Sequence, residues 1–154
     1  MAPRVAATAT TLNAIELRLG GGLLALNRLV TTFLSKRMPV AGFTVGRDGG
    51  AMRATLVLEC PPETARRYAA LLSGLEDVEE VEISDETVEV ALLKTNGEGW
   101  RESAALSGIE AHEDRGTVVA SGSPKRVEAW LVRIGDEAED IVRLGPVVRP
   151  GDGG

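Results

Sequence analysis

The chain has one cysteine and one histidine in 154 residues. The lone Cys60 excludes an internal disulfide, and at the end of an apolar alternation it reads as a small buried hydrophobe. His112, in Glu110-Ala111-His112-Glu113-Asp114, has no second His or paired Cys at ligand spacing, so it reads as a surface strand residue. A serine or cysteine triad would have to be built from that one histidine, and no serine sits in a G-x-S-x-G setting. No catalytic residue, metal or cofactor is therefore expected. Basic clusters are missing too. The 17 Lys and Arg face 23 Asp and Glu for a net charge of −6, which argues against a nucleic-acid backbone or an anionic membrane surface as partner. No apolar run approaches the roughly 18 residues of a membrane span. Met1 to Thr11 lacks the apolar core of a secretory signal, so a cytoplasmic protein is expected.

What the chain has is apolar patterning. Hydrophobic residues make up 44%, enough for a packed core in one medium domain or two small ones. Ile15-Glu16-Leu17-Arg18-Leu19 alternates strictly, which puts Ile15, Leu17 and Leu19 on one buried strand face. Gly20-Gly21-Gly22 allows a sharp turn at positive φ. From Leu23 to about Arg37 the apolar residues Leu23, Leu26, Val30 and Phe33 recur at helical steps, Lys36 and Arg37 fall in the last turn, and Pro39 stops the helix. Val40 to Val45 and Ala51 to Cys60 are strands joined through Asp48-Gly49, an antiparallel hairpin. Val57 falls out of phase with Met52, Ala54, Leu56 and Leu58, and should point to the opposite sheet face.

That hairpin decides a question of chemistry. Gly20 to Ala25 formally fits G-x-G-x-x-A between a strand and a helix, with Asp48 at a suitable distance for a ribose contact. A dinucleotide-binding half needs successive parallel strands, whereas here the second strand turns straight back. No GK[ST] follows the glycines either, so no nucleotide site is expected.

Pro61-Pro62 opens a second helix with core positions Ala65, Tyr68, Ala69 and Leu72, ending at Gly74. Glu76 to Ile83 is a strand carrying Val78, Val81 and Ile83. Residues 12–84 therefore read as β-α-β-β-α-β, a ferredoxin-like unit with both helices on one face of a four-stranded antiparallel sheet. After a linker at 85–87, residues 88–148 give a weaker copy of the same pattern. Its elements are a strand Val88 to Lys94, at most two helical turns over Trp100 to Leu106, strands Ile109 to Asp114 and Thr117 to Ser121, a helix from Pro124 with Val127, Trp130, Leu131 and Ile134 inward, and a strand Asp140 to Leu144. Between Leu19 and Val40 lie 20 residues, but between Lys94 and Ile109 only 14, so the copy is expected to be incomplete, with a poorly covered sheet face. The fold class is α+β, with tandem ferredoxin-like units, the second shortened. Residues 1–11 are expected to be a disordered start, and the Gly/Pro-rich stretch from Pro146, with residues 149–154 beyond the last domain, to be mobile.

The carboxylate pairs Glu76-Asp77, Glu79-Glu80 and Glu137 to Asp140 lie on elements that need a solvated face, and read as such. Trp130 fits a helix core. Trp100, beside a loop, is either buried or a partner-surface residue. A sheet with both helices on one face leaves edges and the other face open, so self-association is expected, a homodimer first.

Leu24-Ala25-Leu26-Asn27-Arg28 followed by Phe33, then Val40-Ala41-Gly42-Phe43-Thr44-Val45, Glu89-Val90-Ala91-Leu92-Leu93-Lys94 and Asp140-Ile141-Val142-Arg143-Leu144-Gly145, resemble the small regulatory subunit of acetohydroxyacid (acetolactate) synthase. The likeness runs from about Ile15 to Val148. It implies that the first unit is an ACT-type amino-acid-sensing domain. It also implies that the chain is not an enzyme but binds and activates a thiamine-diphosphate-dependent catalytic subunit and mediates feedback control by a branched-chain amino acid, typically valine. In that family ACT domains pair side by side, with the effector between the glycine turn of one subunit and the start of the second strand of the other. Those positions fall on Gly20, Gly21, Gly22, Leu23 and Leu24, and on Pro39 and Val40. Leu24 stands where the family has a glycine that lets the backbone reach the ligand. Pro39 stands where it has an asparagine, and offers neither an amide side chain nor an N–H. A stand-alone amino-acid-binding ACT protein, or a degenerate one that senses nothing, is the alternative.

Overall fold

The structure, a computed structural model, describes residues 11–150. Residues 1–10 of the expected disordered start and 151–154 of the tail lie outside the described residues. The chain divides into two compact units at Asp85 and Glu86.

The first unit runs β1 (Thr11–Leu19), α1 (Gly22–Ser35), β2 (Val40–Asp48), β3 (Ala51–Cys60), α2 (Pro62–Ser73) and β4 (Val78–Ser84). Its four strands are ordered β2-β3-β1-β4, and each neighbouring pair is antiparallel, the ferredoxin-like order. Ile15, Leu17 and Leu19 are buried as the alternation requires, against Ala54, Leu56 and Leu58 of β3 and the inner faces of both helices. On the sheet's other face Val57 pairs with Ala14, and both are buried. Because β2 pairs antiparallel with β3, the parallel strands that a dinucleotide site needs are absent from this sheet.

Three expectations for this unit are corrected. Thr11 is not part of a disordered start: it opens β1 and pairs with Cys60, while the Asn13 side-chain amide donates to the Cys60 carbonyl at 2.8 Å. The inward face of α1 is Ala25, Leu29 and Phe33, with Leu26 packed beside it, whereas Leu23 is 78% exposed. A small residue lies where the helix approaches the sheet, and Leu23 in the first turn projects past it. Lys36 and Arg37 lie beyond the last turn, Lys36 being the C-cap.

The second unit runs β5 (Thr87–Thr95), α3 (Gly99–Ser107), β6 (Glu110–Asp114), β7 (Thr117–Gly122), α4 (Pro124–Ile134), a short 3-10 turn (Gly135–Glu137) and β8 (Ala138–Val148). Its strand order, β6-β7-β5-β8, is the same topology again. The second unit is the shortened copy expected, α3 having nine residues against 14 in α1, but its helix-side sheet face is not poorly covered. Bulk replaces length, because Trp100 and Trp130 are both fully buried in a core with Ala91, Leu93, Val118 and Val127. The indole N–H of Trp130 donates to the Trp100 carbonyl at 3.2 Å. Trp100 is thus no partner-surface residue. Its outer neighbour Arg101 stacks over the indole at 4.3 Å. Pro146 to Val148 are not a mobile tail but the end of β8, where Val147 and Val148 pair with Val88 and Thr87.

Candidate functional site

The residues mapped as an effector seat fall in two places. Gly20 to Leu24 form the corner between β1 and α1, with φ of 85° at Gly21 and 63° at Gly22, a left-handed path that favours glycine. Gly21 is the N-cap and supplies no side-chain cap, and the first turn of α1 carries no acidic residue. Leu23 and Leu24, at 78% and 59% exposure, stand out from this corner. Pro39 and Val40 lie past the other end of α1, a helix of 14 residues, hence about 20 Å away along its axis. One chain does not bring the two groups together. Val40 starts β2, which is an edge strand. The Pro39 carbonyl is taken by the Glu59 N–H at 2.9 Å.

The sequence pattern does not single out what surrounds the glycine corner. The Asp77 carbonyl accepts the Gly20 N–H at 3.0 Å, and a Cβ on Gly21 would stand 3.2 Å from an Asp77 carboxylate oxygen. A Cβ on Gly20 would stand 2.7 Å from a Glu79 carboxylate oxygen. Asp77 is held by Arg28 of α1 at 2.8 Å, and Glu79 lies 3.4 Å from Arg18. The uncapped start of α1 thus has a carboxylate nearby, the charge its dipole favours. An incoming ligand carboxylate would meet that same negative charge. The signal was available in the topology: Leu19 pairs with Val78 in antiparallel β1 and β4, so the residue before Val78 must lie beside the residue after Leu19.

The remaining candidates lie elsewhere. Cys60 is buried at the end of β3, and desolvation pushes its thiol pKa up, away from a reactive thiolate. His112 is exposed on β6. Asp48 lies near Arg18 and Arg53, at 3.3 and 3.7 Å. Among the described residues no group of three or more His, Cys, Asp or Glu is arranged to hold a metal, and no helix is long and apolar enough to cross a membrane. A hollow of about 270 Å³ on the open face of the first sheet is lined by Glu16, Arg18, Arg53, Glu80, Val81 and Glu82. It includes none of the mapped effector residues. In the second unit Glu89, buried, meets Arg143 at 2.6 Å, and Arg143 also bonds Glu128. Burial alone would lower the Arg143 pKa, but the hydrogen bonds and charges of Glu128 and Glu89 outweigh it and hold the guanidinium more firmly protonated.

Fold and site together define an α+β protein of two ferredoxin-like units, with an uncapped glycine corner opening one helix. No family model and no curated protein matches the sequence. Among solved structures the chain is similar to the acetolactate synthase small subunit from Thermotoga maritima, with a TM-score of 0.72 and 16% identity over 89% of this chain and 95% of that one. It is also aligned with an unknown protein from Galdieria sulphuraria, over 90% of this chain and 99% of that one at 16% identity, but the TM-score of 0.39 carries no argument. At this identity the Thermotoga likeness is one of fold.

Proposed function

We propose that the chain is a non-catalytic regulatory subunit of acetohydroxyacid synthase, acting in the cytoplasm. On this reading it binds and activates the thiamine-diphosphate-dependent catalytic subunit and brings it under feedback control by a branched-chain amino acid. The observation that carries the reading is the extent of the fold likeness: both units, in order, align with a small subunit of that enzyme over 89% of this chain. The composition of the β2 edge supports it further, since it suits pairing of two copies. In the first sheet β4 guards its edge with Glu79, Glu80 and Glu82, whereas Val40 to Gly46 of the other edge, β2, carries no charge, which is the composition of an edge that can accept a strand. Such pairing is what could set Gly20 to Leu24 of one copy near Pro39 and Val40 of the other, and there the effector would sit.

A second reading is favoured by the glycine corner itself. With Asp77 and Glu79 beside it, Leu24 in place of a glycine and Pro39 without an N–H, the domain is a degenerate ACT unit that associates but senses nothing. Copurification of the full chain with an acetohydroxyacid synthase catalytic chain, with activity measured in its presence and absence, tests the first reading. No association and no change in activity removes it. Calorimetry with valine, leucine and isoleucine separates the two: heat for one of them supports sensing, and silence for all three supports the degenerate form.

A further inference from the structure

The two units repeat one contact at the start of their first helix. Leu19 pairs with Val78 in the first and Thr95 with Ala138 in the second, which sets the residue after β1 or β5 beside the residue before β4 or β8. The Gly20 N–H donates to the Asp77 carbonyl at 3.0 Å, and the Asn96 N–H donates to the Glu137 carbonyl at 3.1 Å. Asp77 and Glu137 are thus equivalent, each beside a helix that opens on a glycine, Gly22 of α1 and Gly99 of α3. Their side chains end differently. Glu137 Oε1 accepts the Gly99 N–H at 2.9 Å, and a Cβ would stand 2.7 Å from that carboxylate at Gly97 and 2.9 Å from it at Gly99. Neither glycine takes a left-handed φ, so what they leave room for is the carboxylate. Asp77 turns instead to Arg28 at 2.8 Å. Arg28 is the seventh residue of α1, and the seventh of α3 is Ala105, which offers no cation.

We propose that this carboxylate is a latch on the helix start, closed on α3 by Glu137 and held off α1 by Arg28. Arg28 is then the positioning residue that leaves the first amides of α1 free for a ligand carboxylate. The first amides of a helix have no partner within it, and a carboxylate is the group their dipole favours. In the second unit that group is part of the chain, and a tethered carboxylate competes at the high effective concentration of an intramolecular contact, so this corner takes no small anion from solution. In the first unit the guanidinium offers Asp77 a charge-assisted bond, stronger than one to a neutral amide. Side-chain length works in the same direction: Glu137 reaches Gly99, whereas Asp77 is one carbon shorter and stops beside Gly21, 3.2 Å from where a Cβ would stand. Arg28 also offsets part of the negative charge that an incoming carboxylate would meet. The latch itself does not depend on the regulatory reading; that an amino acid enters the open corner does rest on it.

The test is backbone amide exchange followed by NMR in the full chain. Glu137→Ala should speed exchange at Gly99 about tenfold, the equivalent of a lost helix cap, while Asn96, bonded to the Glu137 backbone carbonyl, keeps its protection. Arg28→Ala combined with Asp77→Glu gives the first unit the second unit's side chains and should slow exchange at Gly22 about tenfold. Asp77→Glu alone should leave Gly22 unchanged, because Arg28 still holds the carboxylate; an ion pair of purely structural role gives no such difference. Calorimetry with valine reads the ligand side separately. Any heat seen with the native chain should vanish in the double variant, and silence with the native chain counts against sensing while the amide results still decide the latch. Gly99 exchange unchanged by Glu137→Ala overturns the proposal, as does a Gly22 amide left unprotected in the double variant or protected equally by Asp77→Glu alone.

Discussion

The Arg28 guanidinium on α1 donates to the Asp77 carboxylate just before β4 at 2.8 Å, and this pair lies beside the glycine corner where an amino-acid effector would enter. Asp77 is 20% exposed and Arg28 53%, so the ion pair itself contributes little to stability, about 0.2–1 kcal/mol. Its consequence is electrostatic: the corner already has its anion.

Asp77→Asn is expected to keep the fold and remove that charge. If the corner holds a branched-chain amino acid through its carboxylate, affinity should rise about tenfold, the equivalent of about 1.4 kcal/mol. Calorimetry with valine on both forms reads this, and silence in both places the chain with the degenerate reading.

The two tryptophans support the second unit in place of helix length. Trp130→Ala should destabilise by about 3–5 kcal/mol. Trp130→Phe, which fills most of the space but cannot donate to the Trp100 carbonyl, should cost about 1–2 kcal/mol. Urea melts monitored by circular dichroism, with the first unit's response as internal reference, distinguish the two.

Much of this architecture is legible in the residues. The alternation at Ile15, Leu17 and Leu19 and the Asp48-Gly49 turn define the first sheet, and the repeat of the pattern defines the second. The errors have physical causes. The large residues of α1 suggest an inward face through Leu23, but close approach to the sheet selects Ala25, and Leu23 is left outside. Residue counting finds the short α3 but takes no account of the volume of Trp100, which keeps the sheet face covered. Pro146 signalled a loop, yet β8 is an edge strand, where a missing N–H is tolerated. In the sequence Asp77 is one of several carboxylates on a solvated stretch, and its place beside Gly20 exists only once β1 and β4 are paired.

Cys60 should be slow to react. Burial raises its thiol pKa, so the fold favours the neutral form. That contribution is complete below the ordinary thiol pKa of the unfolded chain and is lost as pH climbs through the raised folded value. Labelling by a disulfide reagent at pH 8 should be at least a hundredfold slower than in denaturant, and stability should decline at alkaline pH less steeply in Cys60→Ala. Labelling at the denatured rate would contradict the burial.

The hairpin between β6 and β7 turns through Arg115 and Gly116, with φ of 53° and 83°. Two consecutive positive angles are those of a turn favouring Asn-Gly. Arg115→Asn should therefore raise stability by about 0.5–1 kcal/mol, seen as a higher urea midpoint at unchanged slope.

On the function proposed above, the two ferredoxin-like units serve an acetohydroxyacid synthase. The most direct measurement is the rate of acetolactate formation by a purified catalytic subunit titrated with this chain. A saturable increase, with the two chains eluting together, is the predicted result. A rate that stays flat to a large excess, with the chains eluting apart, contradicts it.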